Sequence, residues 1–436
     1  MKQKILKKLY IVLAYFARIY LKKTNPLTIG ITGSVGKTSC RMIVTQVLKS
    51  FSEQLSTKST LNIYTSPKNF NSEIGLILSI FQIEKYSSSF IGLTKASLSI
   101  IFKGIFSFPK YKIIVLEYGI DHLGDMDFLL SICVPDIAIF TKLDKVHSAY
   151  FGSVEAIGDE KFKLILSAKK QVYLNNLDEY CNRNTSKIKV PKKFYFGGDI
   201  EVKDLKIKEN NGNIVTSFFY NNQEITTNLF GEENINYIAL GLDIANYLNE
   251  RKESVNNKFF ELTLQPGRFT LFSGIKNSIL IDSTYNASPE SMKKMILNTF
   301  SLRENVFKDH KIGFIIGDMR ELGENSENSH KEIAKYLEKS DFVYTIGKET
   351  KNYLIPELSG KVENLKSFIK SKEAGIALKE FISDQTDEYI ILFKGSQNTI
   401  FTEEALKQVL LYKNDESKLV RQSNEWKELK LSFDKK

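Results

Sequence analysis

The sequence predicts an α/β protein in two unequal parts: a larger domain on a mostly parallel sheet, then a smaller sheet domain. Three observations carry that expectation. Apolar, β-branched runs alternate with helical stretches along most of the chain, the pattern of parallel strands covered by helices. A glycine-rich loop lies between the first such strand and a helical run. One interval breaks the alternation with closely spaced turn residues and is followed by a polar connector.

The 436 residues are 42% hydrophobic and 26% charged, enough apolar material for sizeable cores and too much for a wholly disordered chain. Eight prolines and no short compositional period exclude fibrous and low-complexity classes. Cys40, Cys133 and Cys181 stand far apart with no CxxC, which speaks against a disulfide framework or a zinc ribbon and fits a reducing cytoplasm. The formal net charge is +10. Lysine is mixed with Asn, Ile and Glu along the chain, and no aromatic-interleaved Arg patch appears. The expectation is a solvated basic surface and no nucleic-acid partner.

Residues 1–24 form the first element, a basic amphipathic helix. At 100° per residue Ile5, Leu9, Val12, Leu13, Phe16 and Tyr20 share one face, with Lys4, Lys7, Lys8, Arg18 and Lys22 opposite. The uncharged run 9–17 is too short to span a bilayer. Two readings stand: the apolar face packs on the following domain, or it makes peripheral contact with the inner membrane surface. A secretory signal is the weakest reading, because no small-residue cleavage site follows and the glycine-rich loop begins nine residues later.

Strands are then expected at 27–31, 112–117, 137–141 and 172–175, and, in the second half, at 278–282, 312–317, 342–346 and 389–393. Between Phe194 and Phe230, the pairs Gly197-Gly198, Asn211-Gly212 and Asn221-Asn222 predict antiparallel hairpins. Residues 235–250 read as helix and 251–258 as connector, which places a domain boundary near residue 262. The resulting division is 1–26, 27–262 and 263–436, the last ending in a charged tail with the only tryptophan, Trp426.

The strongest local signal is Thr32-Gly33-Ser34-Val35-Gly36-Lys37-Thr38-Ser39, between the strand 27–31 and a helical run at 41–48. Its glycines let backbone N–H groups approach phosphate oxygens, and the helix start adds positive potential. Lys37 would neutralise β- and γ-phosphates and Thr38 would ligate Mg²⁺. Ile31 stands where the first glycine of the full pattern belongs. Glu117 ends the strand 112–117, where such sites place a carboxylate for Mg²⁺. By residue type alone His122, His147, His310 and His330 are structural or surface histidines, and Lys161 is one of several lysines on a helix.

The phosphate loop, Glu117-Tyr118-Gly119, Pro135-Asp136-Ile137-Ala138 and the stretch from Phe151-Gly152-Ser153 to Glu160-Lys161 resemble Mur ligases, and among them the MurF type. So do Asn69-Phe70-Asn71-Ser72-Glu73-Ile74-Gly75, Pro266-Gly267-Arg268, the run 282–292, Gly317-Asp318-Met319-Arg320-Glu321-Leu322-Gly323 with His330 behind it, and Lys394-Gly395-Ser396. The resemblance spans residues 27–410. It implies a P-loop central ATPase domain with a mostly parallel sheet plus a smaller Rossmann-like C-terminal α/β domain. It also implies an ATP-dependent amide ligase that activates a muramoyl-peptide carboxylate as acyl phosphate and couples it to D-Ala-D-Ala, acting as a cytoplasmic monomer.

By motif position the resemblance gives Gly33, Ser34, Val35, Gly36, Lys37, Thr38 and Ser39 to the ATP phosphates. It gives Thr38, Glu117, His147 and Lys161 to two Mg²⁺ ions, with Lys161 carbamylated. Lys37, His147 and Lys161 become the catalytic set. Asn234, Asp282 and Asn286 become adenine- or ribose-side contacts, Arg268 a phosphate contact, and Asn69 and Asn71 substrate contacts. Carbamylation needs a neutral amine, which burial favours.

The chain departs from the pattern in several places. Only 26 residues precede Leu27, so the family's usual N-terminal UDP-binding domain is expected to be lacking. The HN-x-x-N segment reads Glu233-Asn234-Ile235-Asn236-Tyr237, Ser283 replaces the second Asp of a pair, and Gln397 replaces a frequent Arg. Alternative readings are a MurT-like amidating subunit, although its cysteine-rich zinc insert is missing, a folylpolyglutamate-synthase-like enzyme, and a non-catalytic ATP-binding scaffold.

Overall fold

The computed structural model describes residues 2–54, 62–67, 70–84, 86, 89–144, 153–210, 213–249, 258–397 and 399–434. The chain divides into two compact units, one made of residues 1–143, 150–206 and 214–263, the other chiefly of residues 264–436.

The first unit is built on six parallel strands, β1 (Leu27–Thr32), β2 (Ile63–Thr65), β3 (Ile113–Glu117), β4 (Ile137–Phe140), β5 (Gln171–Asn175) and β6 (Lys192–Tyr195), in the order β2-β3-β1-β4-β5-β6. The strands β3, β4 and β5 are buried along their whole length, as expected for parallel strands covered on both faces. The chain leaves β1 for one side of the sheet and later returns to the other. The carboxyl ends of β1, β3 and β4 are therefore neighbours at a switch in strand order, where open α/β sheets place their ligands.

Helix α2 (Lys37–Gln54) buries Cys40, Ile43, Val44, Val47, Leu48 and Phe51, a stripe at helical spacing. It packs on the helix Glu232–Leu248, where a side chain at Gly241 would approach Val47 to 3.0 Å. A second sheet is formed by β10 (Lys258–Phe260), β9 (Gln223–Thr227), β8 (Asn213–Tyr220) and β7 (Lys203–Asn210); β7, β8 and β9 fall in the interruption that the turn residues announced, whereas β10 follows the next helix and pairs in parallel with β9. Its β8–β9 hairpin turns at Asn221 and Asn222, both at positive φ. The reading is corrected at its start: Phe194 and Tyr195 belong to β6, which pairs in parallel with β5 rather than in a hairpin. Asn211-Gly212 lies outside the described residues.

Helix α1 (Lys2–Thr24) packs on α3 (Glu73–Ile80), α4 (Phe90–Phe106) and α5 (Asp125–Ile132). Its buried face holds Leu13, Ala14, Ala17 and Tyr20, with Leu9 and Phe16 beside them. Val12, placed on that face by hydrophobicity, is about half exposed and outside the packed face. Small residues decide the rotation: Ala14 and Ala17 turn inward, and Gly104 of α4 sits so close to Phe16 that an added side chain would stand 2.9 Å from it.

The second unit has a six-stranded sheet in the order β11-β12-β16-β13-β14-β15, formed by β11 (Thr270–Ser273), β12 (Ile279–Asp282), β13 (Lys311–Gly317), β14 (Phe342–Ile346), β15 (Asn364–Phe368) and β16 (Tyr389–Lys394). Only the β11–β12 pair is antiparallel.

Candidate active site

In the first unit the phosphate loop joins β1 to α2. Gly33 and Gly36 have φ of +140° and +84°, and side chains there would meet the Thr141 hydroxyl at 2.0 Å and the Tyr237 hydroxyl at 2.2 Å. Both positions therefore require glycine for conformation and for space. Val35 bridges to Lys142, and Ser34 N–H donates to the Lys142 carbonyl at 2.7 Å, which fixes the loop against the end of β4. The first bond inside α2 runs from Cys40 N–H to Gly36 O, 2.9 Å, so the N–H groups that open the helix belong to Lys37, Thr38 and Ser39. The Lys37 ammonium folds back on the carbonyls of Gly33 and Ser34, at 2.7 and 3.1 Å.

Glu117, the last residue of β3, lies under this helix start. The Thr38 hydroxyl donates to its carboxylate at 3.0 and 3.2 Å, and Asn71 Nδ2 donates to it at 3.3 Å. Arg41 Nε donates to it at 3.2 Å in a fully buried ion pair. Arg41 also reaches Thr65 Oγ1 and the Ser66 carbonyl, so β2, β3 and α2 are tied at one point. Thr38, in donating its proton, keeps its lone pairs for a cation. A hydroxyl and a carboxylate fit a hard ion such as Mg²⁺, with phosphate and water completing the shell. Among the described residues no group of three or more His, Cys, Asp or Glu forms a metal cage.

Lys161 is on the helix Val154–Ser167 and is fully buried. Desolvation holds its ammonium well below the usual lysine range, and the charge of Lys37 pushes the same way, against Asp121, Glu160 and Asp125. The neighbouring Glu160 is committed elsewhere: it accepts from Gly124 N–H and Met126 N–H at the start of α5, 3.0 and 2.9 Å, and pairs with Lys163. Asn234 is buried and donates to the Phe230 carbonyl of its own helix turn at 2.9 Å. His147 and Asn69 lie outside the described residues, whereas Asn71 stands at Glu117.

In the second unit the motif residues gather at the carboxyl ends of β12, β16 and β13. Asp282 is fully buried. It accepts from Gly267 N–H at 3.1 Å and from Thr284 N–H and Oγ1 at 3.1 and 2.6 Å, yet burial still raises its carboxyl to about 6. Gly267, at φ +73°, is crossed by Tyr285 N at 2.7 Å from where a side chain would start. The Arg268 guanidinium lies 4.1 Å over the Tyr285 ring. Asn286 Oδ1 accepts from Gln397 N–H, and its carbonyl accepts from Lys394 Nζ at 2.9 Å. His330 accepts from Met319 N–H through Nε2 at 3.0 Å and donates from Nδ1 to the Ser326 carbonyl at 2.8 Å. It is a neutral structural histidine whose pKa burial lowers.

Two participants, Arg41 and Arg421, escape sequence reasoning, and Lys394, quoted there only within a motif, gains a defined place. Arg41 carries a readable signal, a cation one turn beyond Lys37 on an otherwise apolar face. Lys394 is buried at the end of β16, where desolvation and Arg268 lower its ammonium to about 7. Arg421, in the tail, has no signal. It grips Glu403 through Nε and Nη2 at 2.7 and 2.5 Å and donates to the carbonyls of Thr284 and Tyr285.

The chain matches the Mur ligase middle domain over residues 31–242 and the Mur ligase glutamate ligase domain over residues 267–397. A UDP-N-acetylmuramoyl-tripeptide–D-alanyl-D-alanine ligase of Borreliella burgdorferi is 28% identical over 342 residues, covering 76% of this chain and 65% of that protein. The same-named ligase of Rickettsia prowazekii is 28% identical over 384 residues, covering 85% and 75%. The chain thus spans about two thirds to three quarters of the length of these relatives. The crystal structure of a MurF ligase from Thermotoga maritima in complex with ADP superposes with a TM-score of 0.70 at 22% identity, covering 93% of this chain and 84% of that one, a likeness of fold.

Proposed function

From the premise that the chain belongs to the Mur ligase family, we propose that it is an ATP-dependent amide ligase of peptidoglycan precursor synthesis that couples a muramoyl-peptide carboxylate to D-Ala-D-Ala. A carboxylate is a poor acyl donor. Its oxygen attacks the γ-phosphorus of ATP, the bond to the β-phosphate oxygen breaks, and ADP departs. The amine nitrogen of D-Ala-D-Ala then attacks the carbonyl carbon, loses a proton, and phosphate leaves from the tetrahedral intermediate. The protein's part is positioning and charge neutralisation.

The residues divide that work. The loop from Gly33 to Ser39 holds the triphosphate, Lys37 neutralises it, and Thr38 with Glu117 holds the first Mg²⁺. Bound metal supplies charge neutralisation at the phosphate oxygens. Lys161, as a carbamate, and His147 would hold a second ion. The loss of the Lys161 charge on burial favours the neutral amine that CO₂ requires. Arg268 contacts phosphate, Asn234, Asp282 and Asn286 line the nucleoside side, and Asn69 and Asn71 face the peptide substrate. In this reading residues 27–262 are the ATP-binding domain and 263–436 the C-terminal domain. The chain works as a cytoplasmic monomer, with residues 1–24 as its contact to the inner membrane face.

The observation that carries the proposal is the convergence of Thr38 and Glu117 under the phosphate loop in the unit that buries Lys161. The test is a substrate matrix: ATP with UDP-linked and lipid-linked muramoyl peptides, each with D-Ala-D-Ala or ammonia, products identified by mass. Phosphate release that requires both a carboxylate and D-Ala-D-Ala, and that disappears in Lys37→Ala and Lys161→Ala, is the expected result. Coupling to ammonia alone would favour an amidating enzyme. Magnesium-dependent ATP binding with no turnover on any acceptor would favour a scaffold.

A further inference from the structure

The cationic excess of this protein is not spread over its surface, contrary to the expectation from composition. Residues 2–24 carry seven Lys or Arg and residues 90–112 carry four, and neither segment contains an Asp or Glu. These 11 of the 61 cations exceed the net charge of +10, and the remaining 50 face 51 acids. The two acid-free segments are far apart in sequence, yet they are α1 and the region of α4, which pack on each other. Lys23 joins them, donating to the carbonyls of Ile105 and Ser107 at 2.6 and 2.9 Å and lying 5.1 Å from the centre of the Phe108 ring.

The same two helices leave large apolar side chains in water. On α4, Ile91, Leu98, Phe102 and Phe106 recur at helical spacing along the face turned from the core, and with Phe108 beyond the helix they are 61% to 67% exposed. Lys95 lies in the same sector. On α1, Ile11, Val12 and Tyr15 are about half exposed, and Lys8 and Lys22 fall in their sector. An apolar stripe of this length on a folded surface marks an interaction site.

We propose that α1 and α4 together form a docking face for an anionic lipid surface, with the aromatic and aliphatic stripe in the headgroup–acyl boundary and the lysines on lipid phosphates. Charge selects this occupant. A symmetric contact with a second copy would set the same cationic face against itself. A nucleic acid would match the charge but offers no hydrocarbon to Leu98 or Phe102. An anionic bilayer supplies both. Among the described residues no helix is long and apolar enough to cross a membrane, so the pair lies on the surface.

The inference deepens the membrane contact proposed above for residues 1–24, adding α4 and the lipid chemistry, and its test requires no turnover, so it and the ligase reading can fail separately. The full chain is sedimented with vesicles of phosphatidylcholine alone or with added phosphatidylglycerol. Tight binding is expected only with the anionic lipid, weakening as salt rises. Leu98→Ser, Phe102→Ser and Phe106→Ser together, or Lys8→Gln, Lys22→Gln and Lys95→Gln together, should weaken it by at least about tenfold, since each lysine near an anionic surface contributes about fivefold. Lys372→Gln with Lys379→Gln, on the second unit, should change nothing. All these residues are exposed, and thermal melting checks that each variant folds. The proposal is overturned by absent binding to anionic vesicles, by equal binding of the serine variant, or by light scattering that shows a dimer which the serine variant dissolves.

Discussion

The Thr38 hydroxyl reaches both carboxylate oxygens of Glu117, at 3.0 and 3.2 Å, across a separation of 79 residues. Parallel pairing of β1 with β3 makes this possible, because Glu117, the last residue of β3, is in register with Ile31, one residue before β1 ends. A buried carboxylate in this position is held by donors alone: Thr38, Arg41 and Asn71. Thr38→Ala removes the hydroxyl while leaving the Arg41 pair intact, so the fold should survive. ATP turnover should fall by about 100-fold or more, the scale of one lost electrostatic stabiliser. Steady-state phosphate release across a magnesium titration checks it. Glu117→Gln is the harsher change, because it also leaves Arg41 buried against a neutral partner. It should add a stability loss of about 3 kcal/mol in urea unfolding.

Lys161 makes a separate prediction about carbon dioxide. Its ammonium is disfavoured first by desolvation and then by Lys37, so the amine is neutral at a pH where an exposed lysine is charged. As pH falls the amine protonates and a carbamate is lost. Activity in degassed buffer should therefore decline on the acid side, and bicarbonate should move that limb to lower pH. Lys161→Ala should be inactive and insensitive to bicarbonate. Rate profiles with and without bicarbonate, with intact-mass measurement of the carbamate, test this.

The parts of the fold that were legible are those with one dominant cause. Strands such as β14 and β16 are apolar runs because parallel strands are covered on both faces, and that signal is local. The loop glycines announced themselves because no other residue fits Gly33 or Gly36. What stayed hidden depends on partners distant in sequence. The edge strand β6, Lys192–Tyr195, reads as polar, and only its pairing with β5 makes it part of the main sheet. The packed face of α1 was set by how closely Ala17 and Gly104 allow helices to approach, which hydrophobicity does not report. The concentration of charge on α1 and α4 was present in the sequence but invisible until the two segments were seen to touch.

Lys394 should make stability depend on pH. Its folded value is lowered from 10.5 to about 7, chiefly by desolvation. A lowered value means that the unfolded chain binds the proton more readily. The stability it contributes is therefore complete above pH 10.5, is lost as pH falls towards 7, and changes no further below that. Lys394→Met should remove about 1.4 kcal/mol per pH unit of slope between these limits. Lys161 contributes a slope of the same sign and remains in the variant, so the dependence should shrink without vanishing. Urea midpoints at a series of pH values from 7 to 10 would show it, and an unchanged slope would contradict the burial of a neutral amine at this strand end.

The tail supplies the last test. Arg421 and Lys430 both pair with Glu403, which has no exposed side-chain surface, and Arg421 also holds the carbonyls of Thr284 and Tyr285. Tyr285 in turn carries the guanidinium of Arg268. A residue that sequence reading assigned to a charged tail thus braces the segment 282–286, on which the proposed phosphate contact rests. Arg421→Ala leaves Glu403 with Lys430 as its remaining close cation and frees two carbonyls. It should cost about 3 kcal/mol of stability and raise the KM for ATP more than it lowers kcat, because it loosens a binding element without touching the reacting atoms. Arg421→Lys keeps the charge but loses the fork that spans Glu403 and the two carbonyls, so it should recover part of the stability and little of the KM. Equal recovery of both by lysine would show that charge alone, and not the fixed guanidinium geometry, holds the segment in place.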